Sequence, residues 1–204
     1  MRCFHSFAVL GLAATANALV HLTDDDLRNI PSPGDDFDIN DGKLLAPILI
    51  PRVPGTEGNF KTQQHFVDFF ADSLPDWEML WQNSTSTTPA TGDKQVPFSN
   101  IIFRRDPPWA QTGDVSRLTL VAHFDSKYTP TGFIGATDSA APCAMLMHIA
   151  RSIDSALTER WKKMQDNGEA DDLLEAAQGV QILLLDGEEA FVSWTHTDSL
   201  YGAR

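Results

Sequence analysis

Val180-Gln181-Ile182-Leu183-Leu184-Leu185-Asp186-Gly187-Glu188-Glu189 is the stretch on which the reading of the fold turns. From Val180 to Leu185 the run is short and strongly apolar, which suits a strand buried in a sheet. Its end passes directly into three carboxylates around a glycine. A second run of the same kind, Leu118-Thr119-Leu120-Val121-Ala122, ends in His123-Phe124-Asp125. Two buried strands thus deliver ligand-capable side chains at their carboxyl ends, the place where open α/β sheets carry their sites.

Working outward, strands alternate with helical patterns. Residues 56–73 carry Phe66, Phe69 and Phe70 at three- and four-residue steps, with Phe60 a turn and a half earlier and polar residues between, and Pro75 stops the pattern. Trp77–Trp81 reads as a strand, residues 82–97 as a polar loop, and Phe98–Arg104 as another strand before Pro107-Pro108. A helix is predicted from Ala140 to Leu157, with Pro142 in its first turn, an apolar face of Met145, Leu146, Ile149 and Ile153, and Arg151 in solvent. Residues 162–178 form a charged, partly helical connection. The alternation predicts an α/β fold, an open mixed and largely parallel sheet flanked by helices.

The chain has 204 residues, 42% of them hydrophobic, enough for one real core and against wholesale disorder. Fifteen basic against twenty-eight acidic residues give a net charge of −13, which excludes charge-driven binding of nucleic acid or an anionic membrane and suits a cation. Met1-Arg2, the apolar stretch Phe7–Val20 and the small-x-small pattern Ala16-Asn17-Ala18 read as a secretory signal peptide over residues 1–18. No other stretch is long enough to anchor the chain in a membrane. Cleavage leaves Cys143 as the sole thiol, hence no internal disulfide. Residues 19–50 form an acidic leader, expected to be exposed, and 51–204 are read as the N-terminal part of a larger α/β domain. Asn83-Ser84-Thr85 is an N-glycosylation sequon in what reads as a surface loop.

Asp138 stands just before the predicted helix, where the dipole favours a carboxylate. If it converges with His123-Phe124-Asp125 and Asp186–Glu189, several carboxylates share one cleft and raise one another's pKa unless a cation binds. Imidazole and carboxylate donors make zinc the natural candidate. Adjacent residues of an extended chain face opposite ways, so one glutamate can bind metal while the other moves protons. The residues alone leave simpler roles open: Asp138 as a helix N-cap, His123 as a hydrogen-bonded structural histidine, and Asp186–Glu189 as a solvated turn.

The segments His123–Tyr128, Gly135–Met145, Asp186–Phe191 and Asp198–Arg204, with Pro51–Gly55 and Phe98–Ile102 upstream, closely resemble the glutaminyl-peptide cyclotransferases (glutaminyl cyclases), which share their fold with zinc aminopeptidases. The resemblance runs in order from Pro51 to Arg204. It implies an enzyme that converts N-terminal Gln or Glu of peptides to pyroglutamate around a single zinc ion. Carried over by position, Asp138 and Glu189 match zinc ligands, Glu188 the general acid/base, and Trp194 an aromatic wall of the substrate pocket. His123 and Asp125 match the His-x-Asp of the superfamily. Animal secreted members pair the cysteine of the Pro-Cys-Ala-Met segment with one just before the His; Ala122 stands there instead, so Cys143 has no partner. The family's third ligand, a His, lies in a part that continues past Arg204, so the chain is expected to be a C-terminally truncated member with an incomplete fold. A secreted zinc aminopeptidase using Glu188 to activate water, and an inactive fragment, are the competing readings.

Overall fold

The computed structural model describes residues 22–111, 113–170 and 177–204, and the chain divides into two compact units, Met1–Ser32 and Pro33–Arg204. The expected signal peptide lies outside the described residues. In the first unit, helix α1 (Asp24–Arg28) is closed by a capping box: Thr23 accepts from Asp26 N, and the Asp26 carboxylate takes Thr23 N.

The second unit is built on four strands, β1 (Glu78–Ser86), β2 (Val96–Arg105), β3 (Ser116–His123) and β4 (Gln178–Leu185), in the order β1-β2-β4-β3. Helices α2 (Glu57–Ser73) and α3 (Ala141–Asp166) flank the sheet. It is open and mixed, as expected. The balance of pairings differs from a largely parallel sheet: β1–β2 and β2–β4 are antiparallel, and only β3–β4 is parallel. That parallel pair is the one that matters for function. Its register sets His123 opposite Leu185, and Phe124 N donates to Leu185 O at 2.9 Å, so both strands end together.

Helix α2 starts at Thr56, whose hydroxyl caps Asn59 N, and buries Phe66 and Phe70. Phe70 stacks on Phe103 of β2 with ring centroids 3.6 Å apart, which docks the helix on the sheet. Phe60 is 49% exposed. Six residues of α-helix turn it about 120° away from Phe66. Helix α3 extends beyond the predicted end at Leu157 because Trp161 is buried under the Arg105 guanidinium, a contact the polar local sequence does not announce. Of the expected apolar face, Leu146 is buried and Ile149 and Ile153 pack against the core, while Met145 faces outward, and the most buried stripe runs through Cys143, Ala144, Met147 and Ala150. The small residues bring the helix close to the sheet and so shift the buried face.

Three further expectations are corrected. The sequon is not in a loop: Asn83 lies within β1, exposed on that edge strand and paired with Ser99. Strand β3 is not buried along its length; Leu118 and Val121 are exposed, because an edge strand has one neighbour in the sheet. The acidic leader expected over 19–50 is exposed at its start, but Leu44, Leu45 and Ile48 at its end are buried in the core.

Candidate active site

The site grows from the paired carboxyl ends of β3 and β4. Asp125, fully buried, accepts Glu188 N on one oxygen and Glu189 N on the other, both at 3.0 Å. The residue just past β3 therefore fixes the backbone just past β4. Asp125 Oδ1 also lies 3.2 Å from His123 Nδ1, which orients the imidazole, and His123 Nε2 meets Asp138 Oδ1 at 2.9 Å and Glu188 Oε2 at 3.8 Å. Asp138 reaches this place from a short turn, Ala136–Ala140, that leads into α3. Asp186, buried at the end of β4, is tied to α2 and β2: Asn59 Nδ2 donates to it at 2.9 Å, Ser99 N at 3.0 Å, and its own N–H donates to Asn100 Oδ1 at 2.9 Å.

Arg52 holds the turn in place. Its guanidinium is entirely buried and donates to the carbonyls of Phe124 (2.6 Å), Ile134 (2.5 Å) and Gly135 (3.2 Å), and to those of Ile48 and Ile50. The loop before Asp138 is thereby clamped to the chain just beyond β3. Burial lowers the Arg52 pKa, and the buried charge is carried by carbonyl dipoles. Sequence reasoning gave Arg52 no role beyond its place in Pro51–Gly55; only its fivefold carbonyl contact reveals one.

The two glutamates face different surroundings. Glu188 is partly exposed beside His123, whereas the Glu189 side chain is 6% exposed and points to Lys127 Nζ at 3.9 Å. Glu189 Oε1 has no hydrogen-bond partner, and burial pushes its carboxyl up to about 7; Lys127 opposes this, while Asp125, Glu188 and Asp138 add to it. Burial also raises Glu188, with the positive His123 opposing. Asp138 is held low, chiefly by its hydrogen bond to His123. Burial alone would lower His123, but the carboxylates of Asp125, Asp138 and Glu188 outweigh it and push the imidazole up to about 9. Asp186 rises to about 8 through burial and the nearby Asp125.

Of the sequence-predicted residues, His123, Asp125, Asp138, Glu188 and Glu189 thus come together beyond the carboxyl ends of β3 and β4. Trp194 stands 57% exposed on the following loop, and Asn83 lies on the opposite edge strand. Lys127, Asn59, Asn100 and Asp198 had no assigned role. Asn100, Lys127 and Asp198 fall inside the quoted motifs, which was their only signal, and Asn59 had none. Among the described residues no group of three or more His, Cys, Asp or Glu side chains is arranged to hold a metal ion. The buried, unpartnered Glu189 oxygen in a cluster of mutually repelling carboxylates nevertheless fits a cation.

The fold defines a class, the α/β proteins whose candidate site lies at the carboxyl ends of adjacent parallel strands. Residues 100–204 match peptidase family M28, and the chain belongs to that family. It is 39% identical over 164 residues to a glutaminyl-peptide cyclotransferase of Bos taurus, covering 78% of this chain and 41% of that one. A glutaminyl cyclase structure from Macrostomum lignano superposes with a TM-score of 0.64 at 30% identity, over 87% of this chain and 44% of that one. A Zn-dependent exopeptidase from Parabacteroides distasonis shares the fold, with a TM-score of 0.53 at 20% identity, over 81% of this chain and 54% of its own. The chain spans about two fifths of the length of the curated relatives it matches.

Proposed function

We propose that this chain carries part of a glutaminyl-peptide cyclotransferase that converts N-terminal Gln, or Glu, of peptides to pyroglutamate, with release of ammonia from Gln. What supports this over other chemistry of the fold is that the chain is similar along most of its length to a named glutaminyl-peptide cyclotransferase and to a solved glutaminyl cyclase. Asp138 and Glu189 would hold a zinc ion, with the remaining ligand drawn from outside the described residues, since zinc normally takes at least three protein ligands. When bound, the ion supplies Lewis-acid polarisation of the substrate's side-chain carbonyl. Glu188 would accept a proton from the attacking α-amine and hand it to the departing nitrogen, a role that a carboxyl raised by burial supports. Asp125 and His123 keep the two glutamates and Asp138 in register, and Trp194 offers an aromatic wall to the peptide. The same reading makes residues 51–204 catalytic and sends the protein to the secretory pathway, with residues 1–18 cleaved and Asn83 glycosylated.

The second reading, a zinc aminopeptidase with Glu188 activating water, is favoured by the family itself and by the shared fold of a Zn-dependent exopeptidase. Product analysis on Gln-peptides separates the two, pyroglutamate and ammonia against free amino acid. The roles of the glutamates are tested in the protein expressed from its complete coding sequence. Glu188→Gln should retain metal and lose about 10²–10⁴ in turnover. Glu189→Gln should lose metal affinity and recover partly with added zinc. Metal loss in Glu188→Gln and retention in Glu189→Gln would reverse the assignment.

A further inference from the structure

The loop after Glu189 turns back on itself around one side chain. Asp198 is 3% exposed. Its Oδ1 accepts from Phe191 N at 3.0 Å and from the Tyr201 hydroxyl at 2.7 Å, and its Oδ2 accepts from Val192 N at 2.9 Å and Ser193 N at 2.8 Å. The three amides immediately preceding Trp194 are therefore bound to a single carboxylate. The returning strand of the loop is laddered onto the acidic segment: Leu200, Tyr201 and Gly202 donate their N–H groups to the carbonyls of Glu188, Gly187 and Asp186 at 3.0, 2.7 and 3.0 Å. The Tyr201 ring stacks on Phe98 at 4.8 Å and meets Phe191 edge-on. Both ends of the loop are thus fastened to the backbone that carries the glutamates. Residues 192–197 are turned outward, among them two large apolar side chains, Val192 at 63% and Trp194 at 57% exposure.

A carboxylate taken out of water is costly unless charge-assisted bonds replace its hydration. Four donors do so here, and their common effect is to freeze the backbone beneath an exposed tryptophan. A rigid aromatic next to a reacting centre is a binding element whose value depends on being held in place.

We propose that Asp198 is a positioning residue: it locks residues 191–193 in a loop fastened to the Glu188 backbone and so fixes Trp194, whose indole meets the bound peptide. The nature of that ligand rests on the cyclotransferase reading. Asp198 itself touches no substrate and transfers no proton.

The test uses Asp198→Asn, which keeps the side-chain shape, and Tyr201→Phe, which removes one donor and keeps the ring. Each is made in the protein expressed from its complete coding sequence and assayed over a range of concentrations of a peptide with N-terminal Gln. Acrylamide quenching of Trp194 is read beside it, as the difference from the same protein carrying Trp194→Phe, since the chain has five tryptophans. Asp198→Asn should raise KM about tenfold, the scale of one lost aromatic contact, with kcat within about twofold and Trp194 quenched more readily. Tyr201→Phe should act in the same direction and less. In a Trp194→Ala background Asp198→Asn should add nothing to KM. A merely structural role lowers the folded fraction, so kcat falls while KM and Trp194 quenching hold; that result overturns the proposal. An unchanged KM in both variants, or a full effect without Trp194, overturns it equally. Should Asp198→Asn not fold, Tyr201→Phe decides by the same criteria. A wild-type protein that makes no pyroglutamate sinks the cyclotransferase reading instead; the clamp then stands or falls on whether Trp194 quenching changes.

Discussion

At Cys143 the thiol is completely buried and donates to the backbone carbonyl of His123 at 3.2 Å. Burial pushes its pKa up to about 12; the Arg52 charge opposes this and Asp125 adds to it. The thiolate is the reactive species, and at pH 8 it would make up only about one part in 10⁴ of this site. Native protein should therefore leave Cys143 unmodified by iodoacetamide at pH 8 for as long as it stays folded, with complete modification in denaturant. Peptide mapping by mass spectrometry reads this, and labelling of the native protein at the rate of a free thiol would contradict it. The same logic of environment separates the two glutamates. They are chemically identical neighbours, yet one lies beside a positive imidazole and the other is buried with an unpartnered oxygen.

At the scale of elements, the decisive junction is the exit from β4. Gly187 adopts φ +68°, a left-handed conformation that suits glycine, and a Cβ there would come within 2.3 Å of Phe98 Cδ1. Phe98 has little freedom to move aside, since it is 1% exposed and stacked on Tyr201. Gly187→Ala should then cost about 2–4 kcal/mol, combining backbone strain with overpacking, as measured by urea unfolding. A loss below about 1 kcal/mol would mean that the Phe98–Tyr201 stack gives way. The junction also shows how β2 contributes without supplying a proposed catalytic residue. Its antiparallel register carries Ser99 and Asn100 past the end of β4, where both bind Asp186.

For the molecule as a whole, the buried thiol of Cys143 and the exposed sequon bear on where it works. No helix among the described residues is long and apolar enough to cross a membrane. An oxidising compartment suits a chain whose Cys143 is shielded from pairing. Asn83 is exposed on an edge strand, so a glycan there would extend into solvent and cover an unpaired strand edge. Expression in a eukaryotic secretory host should give a medium-borne product beginning at Leu19, with a loss of mass on glycosidase treatment that Asn83→Gln abolishes. Retention inside the cell with Met1 intact would refute the export reading.

The sequence by itself determined the elements and the chemistry at their ends. Apolar runs of strand length, the phenylalanine spacing of α2 and the proline at the start of α3 are local signals, because strand and helix formation depend on neighbouring residues. The motif segments likewise identified His123, Asp125, Asp138, Glu188 and Glu189 as one constellation, and all five meet. Only tertiary structure decided which strand lies at an edge, and hence that Leu118 and Val121 are exposed and that the sequon sits in β1. Edge or centre is a property of pairing partners, which the strand's own residues do not encode. The same holds for Arg52, whose donors reach carbonyls of Phe124 and Gly135 more than seventy residues away. It holds too for Asp198, whose partners are near in sequence but become donors to one carboxylate only when the loop closes on the Asp186–Glu188 backbone.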